Sequence, residues 1–246
     1  MSEQIAIISD IHGNLTALET VLADIEQRRI DTIFNLGDLA GKGPRGDLVI
    51  DRCRQMEMKT VLGNWDVFLS QSTERSIVQW HQAQLGEERL SYLAGLPHDF
   101  DFWMSGRFVR LLHASPFDPF MRIVEDDDLE KHLSMFVHTE FTGTAVSEPD
   151  IVGYGDIHLA FVNTLREDHK ILFNVGSVGN PLDEPTASYA ILEGELDSEA
   201  PAPFGMQIIR LPYDIEGEIA IACEMEMPDW ELYAKELRTA VYRGRY

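Results

Sequence analysis

Asp10 and His12, two residues apart, are an oxygen and a nitrogen donor of the kind that can close on one divalent cation. Both stand just past Gln4 to Ser9, an apolar β-branched run that reads as a buried strand, and residues two apart in extended chain point to the same side. The pairing returns at Asp156 and His158, behind the strand-like run Ile151–Tyr154. Three further strand ends carry ligand-type residues: Gly37-Asp38 after Thr32–Leu36, Gly63-Asn64-Trp65-Asp66 after Lys59–Leu62, and His113 after Phe108–Leu112. Carboxylates, imidazoles and one amide at strand exits suit a site at the carboxyl ends of strands, where open α/β sheets bind ligands.

The elements that must hold these residues follow from periodicity. Leu15, Leu18, Val21, Leu22 and Ile25 recur at helical spacing behind Gly13 and Asn14, so a turn capped by Asn14 should open a helix. Leu48–Met56 predicts a second helix. Val67–Leu96 predicts a helical, amphipathic stretch in which Gly86 opens the last helix. Phe100–Trp103 and Phe108–Leu112, joined at Ser105-Gly106, predict a hairpin, and Leu129–Phe136 a helix behind the acidic run Glu125–Asp128. Lys170–Val175 and Ser188–Leu192 read as strands, Met206–Leu211 and Ile219–Cys223 as a late strand pair, and Trp230–Tyr242 as a closing helix. The histidines outside the strand-end pattern, among them His81 and His98, read as surface or packing residues. The loop Leu39–Asp47 is rich in chain breakers and carries Lys42 and Arg45; it is either a solvated turn or a phosphate-holding one.

With 246 residues and 44% hydrophobic content, the chain can form one domain over 1–246, with a helical insertion at about 67–97 and a pocket-shaping insertion at about 115–148. A formal net charge of -22, from 42 acidic and 20 basic residues, argues against a nucleic-acid partner, while leaving room for a small phosphorylated substrate whose charge metal ions offset. Cys53 and Cys223 fit no metal or redox spacing and read as two reduced, buried thiols, which suits the cytoplasm. No stretch approaches a signal peptide or the roughly 20 apolar residues of a membrane span, so no membrane partner is expected. The sequence leaves the oligomeric state open.

Taken in order, Asp-x-His, Gly-Asp, Gly-Asn-x-Asp, a strand-end His and Gly-x-x-His, followed by Gly-Ser-Val-Gly at 176–179, resemble the calcineurin-like metallophosphoesterases from Ile5 to about Pro181. The Trp after Gly-Asn is similar to a bacterial branch of asymmetric diadenosine tetraphosphate hydrolases. The resemblance implies an α/β fold, a four-layer α-β-β-α sandwich of two mixed sheets, and a two-metal site at the strand ends. It implies one ion held by Asp10, His12, Asp38 and His158, with Asp38 bridging, and a second completed by Asn64, His113 and Asp156. Asp38, Asn64 and His113 would then be the catalytic set. Asn14, Trp65, Asp66, Lys42 and Arg45 would support the site or touch substrate. Two divalent ions, manganese first and iron, magnesium or zinc as alternatives, would activate water and clamp phosphoryl oxygens. A small phosphodiester or phosphoanhydride, with a dinucleoside polyphosphate as first candidate, is the implied substrate. A metal-binding scaffold that has lost catalysis is the alternative, and the retained ligands argue against it.

Two positions depart from the family pattern. Asp156 stands where the family usually has His, adding a negative charge and a harder ligand that favours Mn²⁺, Mg²⁺ or iron. Trp65 stands where many members have a proton-donating His, so the leaving group must be stable as an anion unless a residue such as His138 takes that role. The indole could stack a nucleobase or pack beneath its own loop.

Overall fold

The computed structural model of the protein describes residues 2–142 and 147–245. Among the described residues, ten strands form two mixed five-stranded sheets. The first is built from β1 (Glu3–Ile8), β2 (Thr32–Asn35), β3 (Lys59–Thr60), β9 (Ala187–Gly194) and β10 (Gly205–Leu211), in the order β10-β9-β1-β2-β3. The second is built from β4 (Asp99–Met104), β5 (Arg107–Leu112), β6 (Ile151–Tyr154), β7 (Ala160–Leu165) and β8 (Lys170–Val175), in the order β4-β5-β6-β8-β7. In each sheet the strands that deliver the strand-end residues run parallel: β1 with β2 and β3, and β5 with β6. Their carboxyl ends therefore share an edge.

The side-chain alternation of a strand explains why the sheets face each other. Ile5 and Ile7 of β1 join Val109 and Leu111 of β5 and Phe173 and Val175 of β8 in the core between the sheets. Ala6 and Ile8 point the other way, to the helices α1 (Leu15–Arg28) and α2 (Gly46–Gln55). On the outer face of the second sheet, Leu112, Val152, Tyr154 and Leu172 are covered by Ile123, Met135 and Phe136. That cover is thin, a five-residue helix α5 (Leu129–Leu133) followed by one 3₁₀ turn over Ser134–Phe136. The helical stretch after β3 is α3 (Asn64–Ser70) and α4 (Ser76–Ala94), the latter broken at Gly86, whose φ of 70° is left-handed. The chain ends in α6 (Ile215–Glu224) and α7 (Trp230–Thr239).

Three expectations are corrected. Ile219–Cys223 is the end of helix α6, not a strand: Asp214 caps it by accepting from Gly217 N, and the buried residues Glu218, Ile219 and Ala222 share one helical face. β10 pairs instead with β9. Cys223 consequently lies on the outer face of α6 and is exposed, whereas Cys53 is buried; both are free thiols. Strand β7 was not signalled, because its residues alternate only weakly and Val162 is half exposed at the sheet's edge. No helix among the described residues is long and apolar enough to cross a membrane.

Candidate metal centre

All seven strand-end residues reach one region, and the backbone brings them there under strain. Asp10, His12, Asp38, Asp156 and His158 have φ between 51° and 61°, in the left-handed region. Asp and His visit that region more readily than most residues, yet each visit costs about 1–3 kcal/mol and survives only where the surroundings fix it. The pairing of Asp10 with His12, and of Asp156 with His158, is thus made by left-handed residues at both positions rather than by the extended chain expected from the sequence. The loops lock one another: Asp10 N donates to Gly37 O, His12 N to Asp38 O, Gly155 N to His113 O, and Gly179 N to Asp10 O.

Two groups of donors result, Asp10 with His12 and His158, and Asp10 with Asp38 and His113, every ligand atom within 4.8 Å of the others in its group. His158 Nε2 lies 3.1 Å from both Asp10 Oδ1 and His12 Nε2. His12 Nε2 lies 3.5 Å from Asp38 Oδ2, and His113 Nε2 3.6 Å from Asp38 Oδ1. Asp38 thereby faces both groups. Asp156 stands slightly apart, its Oδ1 4.0 Å from His113 Nε2 and 2.6 Å from Asn64 Nδ2, which donates to it. His113 and His158 each give Nδ1–H to a backbone carbonyl, of Leu36 and Asn180, which aims Nε2 inward as a ligand nitrogen. Asp10 Oδ1 and His113 Nε2 are buried with no hydrogen-bond partner, the state of atoms that await a cation. The donor set, buried carboxylate oxygens and imidazole nitrogens, fits a first-row divalent metal.

The charges within the cluster are mutually dependent. Burial works against the Asp10 carboxylate, but His158 and His12 beside it hold its pKa well below the usual range. Burial, reinforced by Asp10 and Asp66, drives Asp38 well above that range. Burial opposes charge on His113, yet Asp38, Asp10 and Asp156 outweigh it and push that imidazole up to about 9. His12 is driven down by burial and by Lys42.

The remaining site residues divide between support and rim. Asp66 accepts from the backbone N–H of Asp38, Leu39 and Gly63, and so holds the Asp38 loop. Asn14 caps α1 through Ala17 N and ties that turn to Gly179 O. Trp65 lays its indole against Gly41, with its ring edge-on to His12 at 6.0 Å. Lys42 donates to Asn180 Oδ1. Arg45 is turned away, its guanidinium paired with Glu218 and Thr16. His138 faces Arg110, which is itself held by Asp101. The sequence pattern missed Arg122, whose Nε and Nη2 donate to the two oxygens of Asp156 at 2.9 and 3.0 Å. It lies in an irregular segment with no periodicity to mark it. Ser177 was also missed; its hydroxyl donates to Asp10 O and accepts from Asn180 N.

Two mixed sheets face to face, with oxygen and nitrogen donors crowded at one edge, define an α/β protein with a candidate metal centre. The calcineurin-like phosphoesterase superfamily domain matches residues 4–197, and the chain belongs to that superfamily. It is 30% identical over 252 residues to an uncharacterised protein of Methanocaldococcus jannaschii, an alignment covering 94% of this chain and 96% of the relative. A crystal structure of a metallophosphoesterase from Sphaerobacter thermophilus superposes with a TM-score of 0.77 at 26% identity, covering 97% of this chain and 100% of that one. A Pyrococcus horikoshii structure shares the fold, with a TM-score of 0.76 at 17% identity and 98% of both chains covered. The protein is a phosphoester hydrolase, of a family that implies divalent metal ions.

Proposed function

We propose that the protein cleaves a small phosphodiester or phosphoanhydride, with a dinucleoside polyphosphate as first candidate, at a two-metal centre filled by manganese. The carrying observation is that Asp38 presents one oxygen to His12 and the other to His113, as a bridging carboxylate can. Asp10, His12, Asp38 and His158 would hold one ion, and Asp38, Asn64, His113 and Asp156 the other. Bound there, the ions would supply an acidified water and charge for the phosphoryl oxygens.

The chain's own groups do the rest. Asp66 keeps Asp38 in position, and the Nδ1–H bonds of His113 and His158 keep each Nε2 directed inward. Trp65 has no proton to give near neutral pH, and His138 is engaged at Arg110, so the departing oxygen must leave as a stable anion. Phosphoanhydrides and activated aryl esters meet that condition. Phe68 and Phe120, edge-to-face at 5.1 Å and both partly exposed, continue the Trp65 ring outward and support a nucleotide substrate. We read residues 1–246 as one domain in which the insertion at about 115–148, through Arg122, shapes the pocket. The free thiols of Cys53 and Cys223 support a reducing, cytoplasmic setting.

The test is hydrolysis of bis-p-nitrophenyl phosphate and diadenosine tetraphosphate by metal-stripped protein refilled with Mn²⁺. Turnover should require the metal and fall by roughly 10²–10³-fold in Asp38→Asn. Full activity in the metal-stripped protein, or in that variant, would overturn the two-metal reading.

A further inference from the structure

The metal cluster does not account for the cavity beside it. About 500 Å³ in volume, it is lined by Asp156 and His158 of the cluster, by Lys42 and Arg122, and by Leu182 and Tyr242. Two cations facing one cavity are an anomaly in a chain with twice as many acidic as basic residues.

Each cation is built in at a cost. Lys42 has a left-handed φ of 65°, and burial pushes its ammonium pKa down against the pull of Glu236, Asp10 and Asp38. Lys42 is half-buried, and removing an ammonium even partly from water is costly unless something compensates. Its hydrogen-bond partner is the neutral amide oxygen of Asn180, 3.0 Å away. Arg122 is fixed differently. Its Nε and Nη2 fork onto both oxygens of Asp156, while 57% of the side chain remains exposed. A bidentate pair fixes the guanidinium plane, leaving its other N–H donors for a second anion.

We propose that Arg122, which lines the same cavity as Lys42, binds a second phosphoryl group of the substrate, one that adjoins the group under attack. The substrate is then a phosphoanhydride rather than a simple diester, and Arg122 is a specificity-determining residue tethered by Asp156. Asp156 thereby serves two purposes, turning one edge to the cluster and anchoring the cation that reads the neighbouring phosphate. The inference rests on the phosphohydrolase reading above.

Mn²⁺-loaded wild type, Arg122→Met, Arg122→Lys and Lys42→Met are titrated calorimetrically with adenosine 5′-(α,β-methylene)diphosphate and with AMP, which differ by one phosphoryl group. Metal content is measured before and after. The wild type should bind the diphosphate analogue at least about tenfold more tightly than AMP, as a charge-assisted contact predicts. Arg122→Met should bring that ratio close to one with metal content unchanged, and Lys42→Met should reduce it. Arg122→Lys keeps the charge without the fork and should restore only part of it. In turnover, Arg122→Met should raise the KM for diadenosine tetraphosphate at least about tenfold more than that for bis-p-nitrophenyl phosphate.

An unchanged binding ratio in Arg122→Met, or a ratio lost together with the metal, would overturn the assignment; in the latter case Arg122 merely props Asp156. A wild type without preference for the second phosphate that still hydrolyses bis-p-nitrophenyl phosphate with Mn²⁺ would end this proposal alone. Absence of Mn²⁺-dependent turnover would end the hydrolase mechanism proposed above.

Discussion

The strand-end cluster and the cavity beside it hold their charged groups in opposite ways. In the cluster, short side chains sit on strained backbone within four residues of a strand, and neighbouring loops hydrogen-bond one another. In the cavity, long side chains reach in from Lys42, Arg122 and the C-terminal segment at Tyr242, which are far apart in sequence. Chemistry that tolerates little displacement is set by the backbone, whereas recognition of a substrate is assembled by long side chains held through their own partners. Variants that disturb one region and spare the other test this division.

The largest expected effect lies where the two regions are fastened. Arg45 belongs to the loop that follows Asp38, and its guanidinium pairs with Glu218, which is fully buried in α6. Arg45→Met leaves that carboxylate buried without its cation, and unfolding measurements should show a loss of about 3–5 kcal/mol. Substrate KM should change little, since the guanidinium faces α6 and not the cavity. A raised KM with an unshifted unfolding midpoint would instead return Arg45 to substrate binding.

Next comes a change confined to the cluster. Gly63 has φ of -93°, which any residue adopts, but a Cβ there would overlap both the backbone nitrogen and the carboxylate of Asp38. Gly63→Ala should therefore displace Asp38, backbone included, at some cost in stability. Displacement of a reacting group by about 1 Å can cost roughly 100-fold in rate. The fall should appear in kcat for both bis-p-nitrophenyl phosphate and diadenosine tetraphosphate, where an Arg122 variant separates them. A fall restricted to one substrate would show that the cluster also selects substrate.

How much of this was legible in the sequence follows from the same division. Asp10, His12, Asp38, Asn64, His113, Asp156 and His158 each follow an apolar strand directly, so local pattern located them, and the two mixed sheets with their helices emerged from the same strands. Asp66, expected to support the site or touch substrate, accepts from the backbone of Asp38 and Gly63. Arg122 was not legible, because its partner Asp156 lies 34 residues further along the chain. Nor was the direction of Arg45, whose partner Glu218 lies 173 residues away on a helix that the apolar run Ile219–Cys223 disguised as a strand. Contacts of that length are set by packing, which periodicity does not encode.

The smallest expected effect belongs to the seam between the regions. His81 of α4 is 1% exposed, edge-on to Trp65 and Trp80, and burial, aided by Arg243 from the chain's C-terminal segment, depresses its pKa to about 4. An imidazole with a folded-state pKa below its unfolded value of about 6.5 binds fewer protons folded than unfolded between those two values. Stability is then complete above about pH 6.5 and is lost as pH falls towards 4. From pH 7 to pH 5 the contribution of this group should be a loss of about 2 kcal/mol. His81→Gln removes the titration, so its stability should fall less steeply over that interval than the wild type's, and the difference between the two slopes isolates His81 from the carboxylates and ligand imidazoles common to both. Parallel slopes would mean that His81 takes up its proton in the folded protein, and that the packing of Trp65 against it opens readily to water. In that case the seam, and with it the position of Trp65 over Gly41, would be looser than the strained strand ends beside it.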